Sequence, residues 1–93
     1  MDSSCLVEHR ASEQRFVCRV DGLESHADYR LEPGRMRLTH TAVDPRLQGR
    51  GIAAALVAAA LDHARREGLK VVPQCSYVDA YMRRHPQTED LRA

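Results

Sequence analysis

The stretch VDPRLQGRGIAAALVAAALDHA, residues 43–64, carries the strongest structural signals in the chain. Its Asp44-Pro45 pair ends an extended segment, because proline supplies no ladder N–H and restricts the residue before it. A basic turn with two glycines follows, and from Gly51 onward apolar residues recur with a helical period. The stretch therefore predicts a strand, a glycine turn and a helix, which Gly68 ends.

Three strands are predicted upstream, because apolar and polar residues alternate there with a period of two. Their sequences are RFVCRV (15–20), LESHADYRL (23–31) and RMRLTHTAV (35–43). Short turns that contain glycine separate them, which predicts an antiparallel meander. The polar residues 1–14 are expected to be partly frayed.

Two further elements are predicted downstream of the long helix. The segment LKVVPQC (69–75) is typical of a short buried strand, and SYVDAYMRRHP (76–86) of a short helix that Pro86 ends. The predicted order is βββαβα, which is an α+β fold in a single domain over residues 1–93. A chain of this length has room for one core and no separate substrate domain.

Composition excludes several classes of protein. Fourteen basic and thirteen acidic side chains leave a net charge of +1, so neither nucleic acid nor a membrane surface is an expected partner. No apolar run approaches the roughly 18 residues of a membrane span, and the start, MDSSCLVEHR, shows neither the basic nor the apolar region expected of a signal peptide. Cys5, Cys18 and Cys75 are widely spaced, which predicts neither a disulfide framework nor a zinc site. We therefore expect a cytoplasmic protein with reduced thiols.

The glycine turn has the features of an anion site. The first backbone N–H groups of a helix have no internal partner, and the helix dipole adds positive charge at that end. Glycines allow a ligand to come close to the backbone, and Arg46 and Arg50 add charge suited to phosphate. No acidic residue caps the helix start. The turn is therefore expected to bind a phosphate or pyrophosphate, rather than to be a plain turn with solvated arginines.

Two common phosphate motifs fit this turn poorly. The string GRGIAA matches the dinucleotide fingerprint G-x-G-x-x-G/A. In that fold, however, the strand runs straight into the first glycine, whereas here Asp44-Pro45 interrupts it and an antiparallel meander comes first. A P-loop requires a Gly-Lys-Ser/Thr sequence, which is absent.

A third motif fits at every position. The segment from Arg46 to Gly51 matches Gln/Arg-x-x-Gly-x-Gly/Ala, the acetyl-CoA turn of the GNAT N-acetyltransferases. The wider strings HTAVDPRLQGRGIAAALV and VVPQCSYVDAYMRRHP resemble the shortest, YjdJ-like members of that family. The resemblance covers residues 35–90 in recognisable motifs, and the preceding hairpin fits by topology.

The resemblance implies that acetyl-CoA binds at this turn. Backbone amides would bind its pyrophosphate, and the main chain of the preceding strand would bind pantetheine. The strand that ends at Cys75 would diverge from its neighbour and open a slot, and Pro73, which can donate nothing to a ladder, is compatible with strands that part there. The usual acceptor-binding helices between the first two strands are missing, which argues against the usual acceptor pocket. The residues expected to bind the cofactor are Ala42, Val43, Arg46, Gln48, Gly49, Arg50, Gly51, Ile52 and Ala53.

Three side chains are candidates for the chemistry of acetyl transfer. Cys75, at the end of a strand, is a candidate nucleophile or slot-lining thiol, or else a packing residue. His40 is the candidate base, although it shares a predicted face with Met36, Leu38 and Ala42 and could simply belong to the core. Tyr81 is the candidate acid, by resemblance, or a packing residue. No histidine spacing suggests a metal site.

These features are compatible with three functions. The first is an acetyl-CoA-dependent N-acetyltransferase that acts on an unidentified small-molecule or peptide amine. The second is a degenerate GNAT domain that binds CoA or acyl-CoA as a sensor or carrier, which the missing acceptor helices favour. The third is a small interaction domain without a ligand. The sequence fixes neither the acceptor nor the oligomeric state.

Overall fold

The computed structural model describes residues 5–93 and shows a five-stranded sheet with the strand order β1-β2-β3-β4-β5. The neighbours from β1 to β4 are antiparallel, and β5 is parallel to β4. The strands are β1 (Val7–Arg10), β2 (Arg15–Val20), β3 (Leu23–Glu32), β4 (Arg35–Ala42) and β5 (Lys70–Pro73), and the helices are α1 (Ile52–Arg66) and α2 (Ser76–Arg84). Three short 3-10 helices lie at Ala11–Glu13, Pro45–Leu47 and Pro86–Leu91. Together these elements form the predicted α+β fold.

The core lies between α1 and one face of the sheet. Met36 and Leu38 of β4 are buried there against Leu56 and Val57 of α1, as the alternating and helical patterns predict. Leu31, which shares the alternation of β3, lies beside the β3–β4 turn and is 57% exposed. In the described part of the chain, no helix combines the length and apolarity needed to cross a membrane.

The first strand corrects two expectations. Residues 1–14 were expected to be partly frayed and to hold no strand, but Val7–Arg10 among them form β1, which pairs with β2 in the register Val7↔Cys18. This pairing brings Cys5 within disulfide reach of Cys18, with a Cα–Cα distance of 5.7 Å, and the two are joined. The expectation that these two thiols are reduced is therefore wrong in this structure. Cys75 is free.

One histidine fastens β1 to the core. The ring of His9 stacks on Phe16 with centroids 4.2 Å apart, and the edge of His63 from α1 approaches it at 4.4 Å. Its Nε2 lies 2.6 Å from the Tyr29 hydroxyl oxygen. Burial, followed by the nearby His63 and Arg66, lowers the pKa of His9 below its ordinary value.

A β-bulge changes the predicted faces of β4. Asp28 pairs with His40 and Tyr29 with Leu38, so Thr39 is the extra residue. Beyond the bulge the side-chain alternation reverses, and Thr41 pairs with the buried Ala27 on the core face. The expectation that His40 shares a face with Leu38 is therefore wrong, and His40 is exposed on the opposite face.

The pairing between β4 and β5 ends before β4 does. The last pair is Leu38↔Pro73, whereas β4 continues to Ala42. Past this point the chain leaves the β5 direction, and the N–H of Cys75 donates to the Leu38 carbonyl at 3.0 Å. An opening lined by Thr41, Val43 and Tyr77 therefore separates the end of β4 from the beginning of α2.

Candidate functional site

The glycine turn depends on backbone conformation. Gly49 and Gly51 have φ angles of 86° and 77°, which L side chains rarely adopt. A Cβ added at either position would meet no heavy atom within 4 Å, so conformation rather than crowding requires glycine there. The segment that leads into the turn is held by Asp44, whose carboxylate accepts a hydrogen bond from the backbone N–H of Arg46 at 2.9 Å.

This turn presents a run of unpaired amides. Gly51 is the N-cap of α1, it supplies no side-chain cap, and no acidic residue occupies the first turn. Within residues 5–93, the amides from Gly49 to Ala54 donate to no backbone carbonyl, and the first helical bond at this end runs from Ala55 to Gly51 at 3.0 Å. The end of the helix therefore offers consecutive donors and a positive dipole to an anion.

A pocket of about 480 Å³ opens at these amides. It extends along the end of β4 toward α2 and is mostly apolar. Six of the nine predicted cofactor residues line it, namely Val43, Gln48, Gly49, Gly51, Ile52 and Ala53, together with Thr41, Leu47, Ala54 and Tyr77. The apolar walls and polar helix end suit a ligand that has an apolar arm and a phosphate group.

The two arginines of the turn are held by carboxylates instead. Arg46 donates from Nε to Asp44 at 3.0 Å, and its hydrogen bonds lower the pKa of that carboxyl. Arg50 reaches across to Asp21 in the β2–β3 turn at 3.0 Å. Both guanidinium groups are exposed and neither lines the pocket. The donors that face the pocket are therefore mainly backbone amides.

Cys75 is the residue before α2, and it does not line the pocket itself but contacts Thr41, which does. It is half-buried, and its Sγ is 3.6 Å from the Oγ1 of Thr41. Burial acts to raise the pKa of this thiol, but the Val78 amide, the Thr41 hydroxyl and further backbone amides outweigh it and lower the pKa. Cys75 is therefore the free thiol whose surroundings favour a thiolate.

The structure brings a different tyrosine to the pocket. Tyr81 is stacked on His85, with ring centroids 3.9 Å apart, and lines a separate cavity between α1 and the Pro86–Leu91 helix. Tyr77 lies one helical turn earlier and lines the main pocket, with 38% of its surface exposed. Burial raises the pKa of Tyr77, so its phenol keeps its proton at neutral pH.

His40 also lies away from the pocket. It faces the opposite side of the sheet, beside His26, with ring centroids 6.1 Å apart. Asp28 joins the same cluster, because its carboxylate is 2.9 Å from Nδ1 of His26 and 3.0 Å from Nε of Arg15. The structure therefore separates His40 on one face from Thr41 and the pocket on the other.

Sequence reasoning missed Thr41 and Tyr77. Thr41 alternates with the apolar residues of β4, so the pattern placed it on the outer face, and only the bulge reverses this. Tyr77 and Tyr81 are four residues apart on one helix, so their spacing alone could not show which of them meets the pocket.

Comparisons with known proteins show the family to which the chain belongs. A family model described as GCN5-related N-acetyl-transferase matches residues 15–91. Protein NATD1 of Xenopus tropicalis is 34% identical over 92 residues, which are 96% of this chain and 84% of that protein. Protein NATD1 of Homo sapiens is 36% identical over 88 residues, or 91% and 78% of the two chains.

One solved structure shares the fold. A GCN5-like protein from Staphylococcus aureus, determined by NMR, superposes with a TM-score of 0.76. The match covers 99% of this chain and 91% of that one, at 24% identity, and therefore speaks for the fold alone. The finer YjdJ-like designation stays a prediction.

Proposed function

The chain belongs to the GCN5-related N-acetyltransferase family, and from this membership we propose that it transfers the acetyl group of acetyl-CoA to an amine. The observation that carries the proposal is the run of unpaired amides from Gly49 to Ala54 at the mouth of the pocket. Acetyl-CoA has the matching chemistry, because it joins an anionic pyrophosphate to a slender pantetheine arm and supplies a reactive thioester.

The residues of the chain fit this cofactor in a definite order. The amides of the turn would hold the pyrophosphate, as backbone donors at a helix start do. The edge of β4 at Ala42 and Val43 would bind the pantetheine amides, since β5 no longer pairs with it there. The thioester end would then lie near Thr41 and Tyr77.

Two residues are proposed to act on the reacting groups, because the sheet separates His40 from the pocket and the base role expected of it is out of reach of an amine at the thioester. Cys75 would serve as nucleophile or as part of the slot. Tyr77 takes the role first expected of Tyr81, because its phenol reaches the pocket and can protonate a departing thiolate.

Calorimetric titration with acetyl-CoA tests the binding site. Gly49→Glu places a carboxylate among the amides, and we expect it to weaken acetyl-CoA binding by at least about tenfold. Gly34→Glu is the matched control, because Gly34 also has a positive φ, of 72°, but lies in the β3–β4 turn. Unchanged affinity in the Gly49 variant would place the pyrophosphate elsewhere.

Turnover separates the enzyme from the second candidate, a CoA-binding sensor or carrier. That alternative is favoured by the short connection between the first two strands, β1 and β2, which contains only the 3-10 helix Ala11–Glu13 and no acceptor-binding α-helix. We expect CoA release, followed by chromatography, with at least one member of a panel of small-molecule and peptide amines. His40→Gln should leave kcat/KM nearly unchanged, because His40 lies on the face of the sheet opposite the pocket. Binding without release across the panel would favour the carrier.

A further inference from the structure

The hydroxyl of Thr41 and the sulfur of Cys75 meet across the opening between β4 and α2. Their separation of 3.6 Å is within hydrogen-bonding range for sulfur. The backbone fixes both partners, since the N–H of Cys75 donates to Leu38 of β4 at 3.0 Å and Thr41 pairs with Ala27 of β3. Both side chains of this contact are short, and each projects from a backbone segment that hydrogen bonds hold in place.

The bulge at Thr39 decides which residue meets the sulfur. Without the extra residue, the alternation of β4 would turn His40 to the core face and Thr41 to the outer face. With it, the small hydroxyl faces the opening, and the imidazole is turned to the other side of the sheet. A hydroxyl can donate to a thiolate, whereas an apolar residue of equal size could not.

We propose that Thr41 is a positioning residue, whose hydroxyl donates a hydrogen bond to the Cys75 thiolate and holds the sulfur beside the pocket that Thr41 lines. A hydrogen bond to a charged acceptor is stronger than one to a neutral thiol, so this contact favours the ionised form. The backbone amides near the sulfur act in the same direction. The proposal rests on the proposed function only in taking the pocket as the acetyl-CoA site, and its test needs no cofactor.

The test is the rate of Cys75 alkylation by iodoacetamide as a function of pH, with the modified peptide identified by mass spectrometry. Thr41→Val keeps the size and β-branching of the side chain but removes the hydroxyl. We expect its profile to shift upward by about half to one pH unit, which slows alkylation near neutrality by about three- to tenfold. Thr41→Ser keeps the hydroxyl and should retain the profile of the natural protein.

Thr39→Val is the matched control, because the Thr39 hydroxyl bonds to the Asp28 carbonyl at 3.4 Å and not to the sulfur. If Thr41→Val fails to fold, the comparison of Thr41→Ala with Thr41→Ser replaces it. An unchanged profile in the variants without the hydroxyl overturns the proposal. An equal shift in Thr41→Ser also overturns it, since packing would then be the cause.

The outcome is independent of acetyl transfer. If the Thr41 variants shift the profile but acetyl-CoA neither binds nor protects Cys75 from alkylation, the positioning role stands and the proposed function fails. If acetyl-CoA protects Cys75 and all variants share one profile, the proposed site stands and the role of Thr41 fails.

Discussion

His9, on the edge strand β1, is expected to make the stability of the protein depend on pH. Its ring is stacked on Phe16, and the neighbouring positive groups are His63 and Arg66 of α1. The Tyr29 hydroxyl completes the surroundings, and burial raises the pKa of that phenol. No carboxylate is among the groups that shift the pKa of His9, so its protonated form is disfavoured in the folded state.

We expect the free energy of unfolding to fall as the pH decreases below about 6.5 toward the lowered pKa of folded His9. In that window the unfolded chain binds the proton more readily, so stability rises with pH. His9→Phe keeps the stacked ring and should flatten this part of the profile. Urea unfolding between pH 5 and pH 8 measures it, and parallel slopes for the two proteins would contradict the assignment.

Tyr77 and Tyr81 form a matched pair at the residue scale, since they share a helix and a side-chain type but line different cavities. We expect Tyr77→Phe to lower kcat by about ten- to a hundredfold, because the proposed acid is removed. Tyr81→Phe should keep kcat. Steady-state kinetics with the best amine of the panel provide the measurement, and the reverse order of effects would return the role to Tyr81.

At the scale of elements, the first turn of α1 lacks the acidic residue that would stabilise the helix. Helices gain from an acidic residue near their N-terminus, yet here this turn contains Ala53 and Ala54 and no carboxylate. The same bare end is what offers an anion its donors. Stability of the helix and affinity for the anion are therefore expected to oppose each other at this position.

Ala54→Glu tests this opposition. We expect it to stabilise the protein by about 0.5 kcal/mol through the helix dipole and to weaken acetyl-CoA binding by about tenfold. Ala58→Glu, on an exposed position in the middle of the helix, makes the same charge change and should leave both properties nearly as they are. Thermal melts and calorimetry measure the two effects, and a variant that gains both stability and affinity would contradict the site.

The elements differ in how far they could be predicted from sequence. The turn around Gly49 and the helix after it are specified by local chemistry, so their type and position were predicted correctly. The bulge at Thr39 arises from pairing with β3, which has no local signal, and this is why His40 and Thr41 exchanged faces. The bulge changed the position of the catalytic candidate His40, whereas the predicted cofactor residues of the turn did not depend on it.

At the scale of the whole molecule, β1 is the edge strand of the sheet, and Cys5, the disulfide partner of Cys18, lies just before it. The segment VEHR has one apolar residue in four and therefore gave no alternation to detect. Its pairing with β2 is what makes Cys5 and Cys18 neighbours although they are 13 residues apart. The missed strand and the missed disulfide have the same origin.

Reduction should destabilise the protein by about 3 kcal/mol, because opening the cross-link returns conformational entropy to the unfolded chain. Urea unfolding with and without reductant measures this difference. Cys5→Ser should remove the dependence on reductant, whereas Cys75→Ser should preserve it, since Cys75 is free. Titration of three thiols in the denatured, unreduced protein would contradict the cross-link.

The amides of residues 49–54 have a consequence for mutational mapping of the pocket. Their donors belong to the main chain, so truncation of a side chain leaves each of them in place. Ala53 and Ala54 already lack a longer side chain, and the arginines of the turn point to carboxylates. Alanine at Gln48 or Arg50 would therefore have little effect on this loop, although it lies at the centre of the site. Substitutions that forbid positive φ or add negative charge would reveal it.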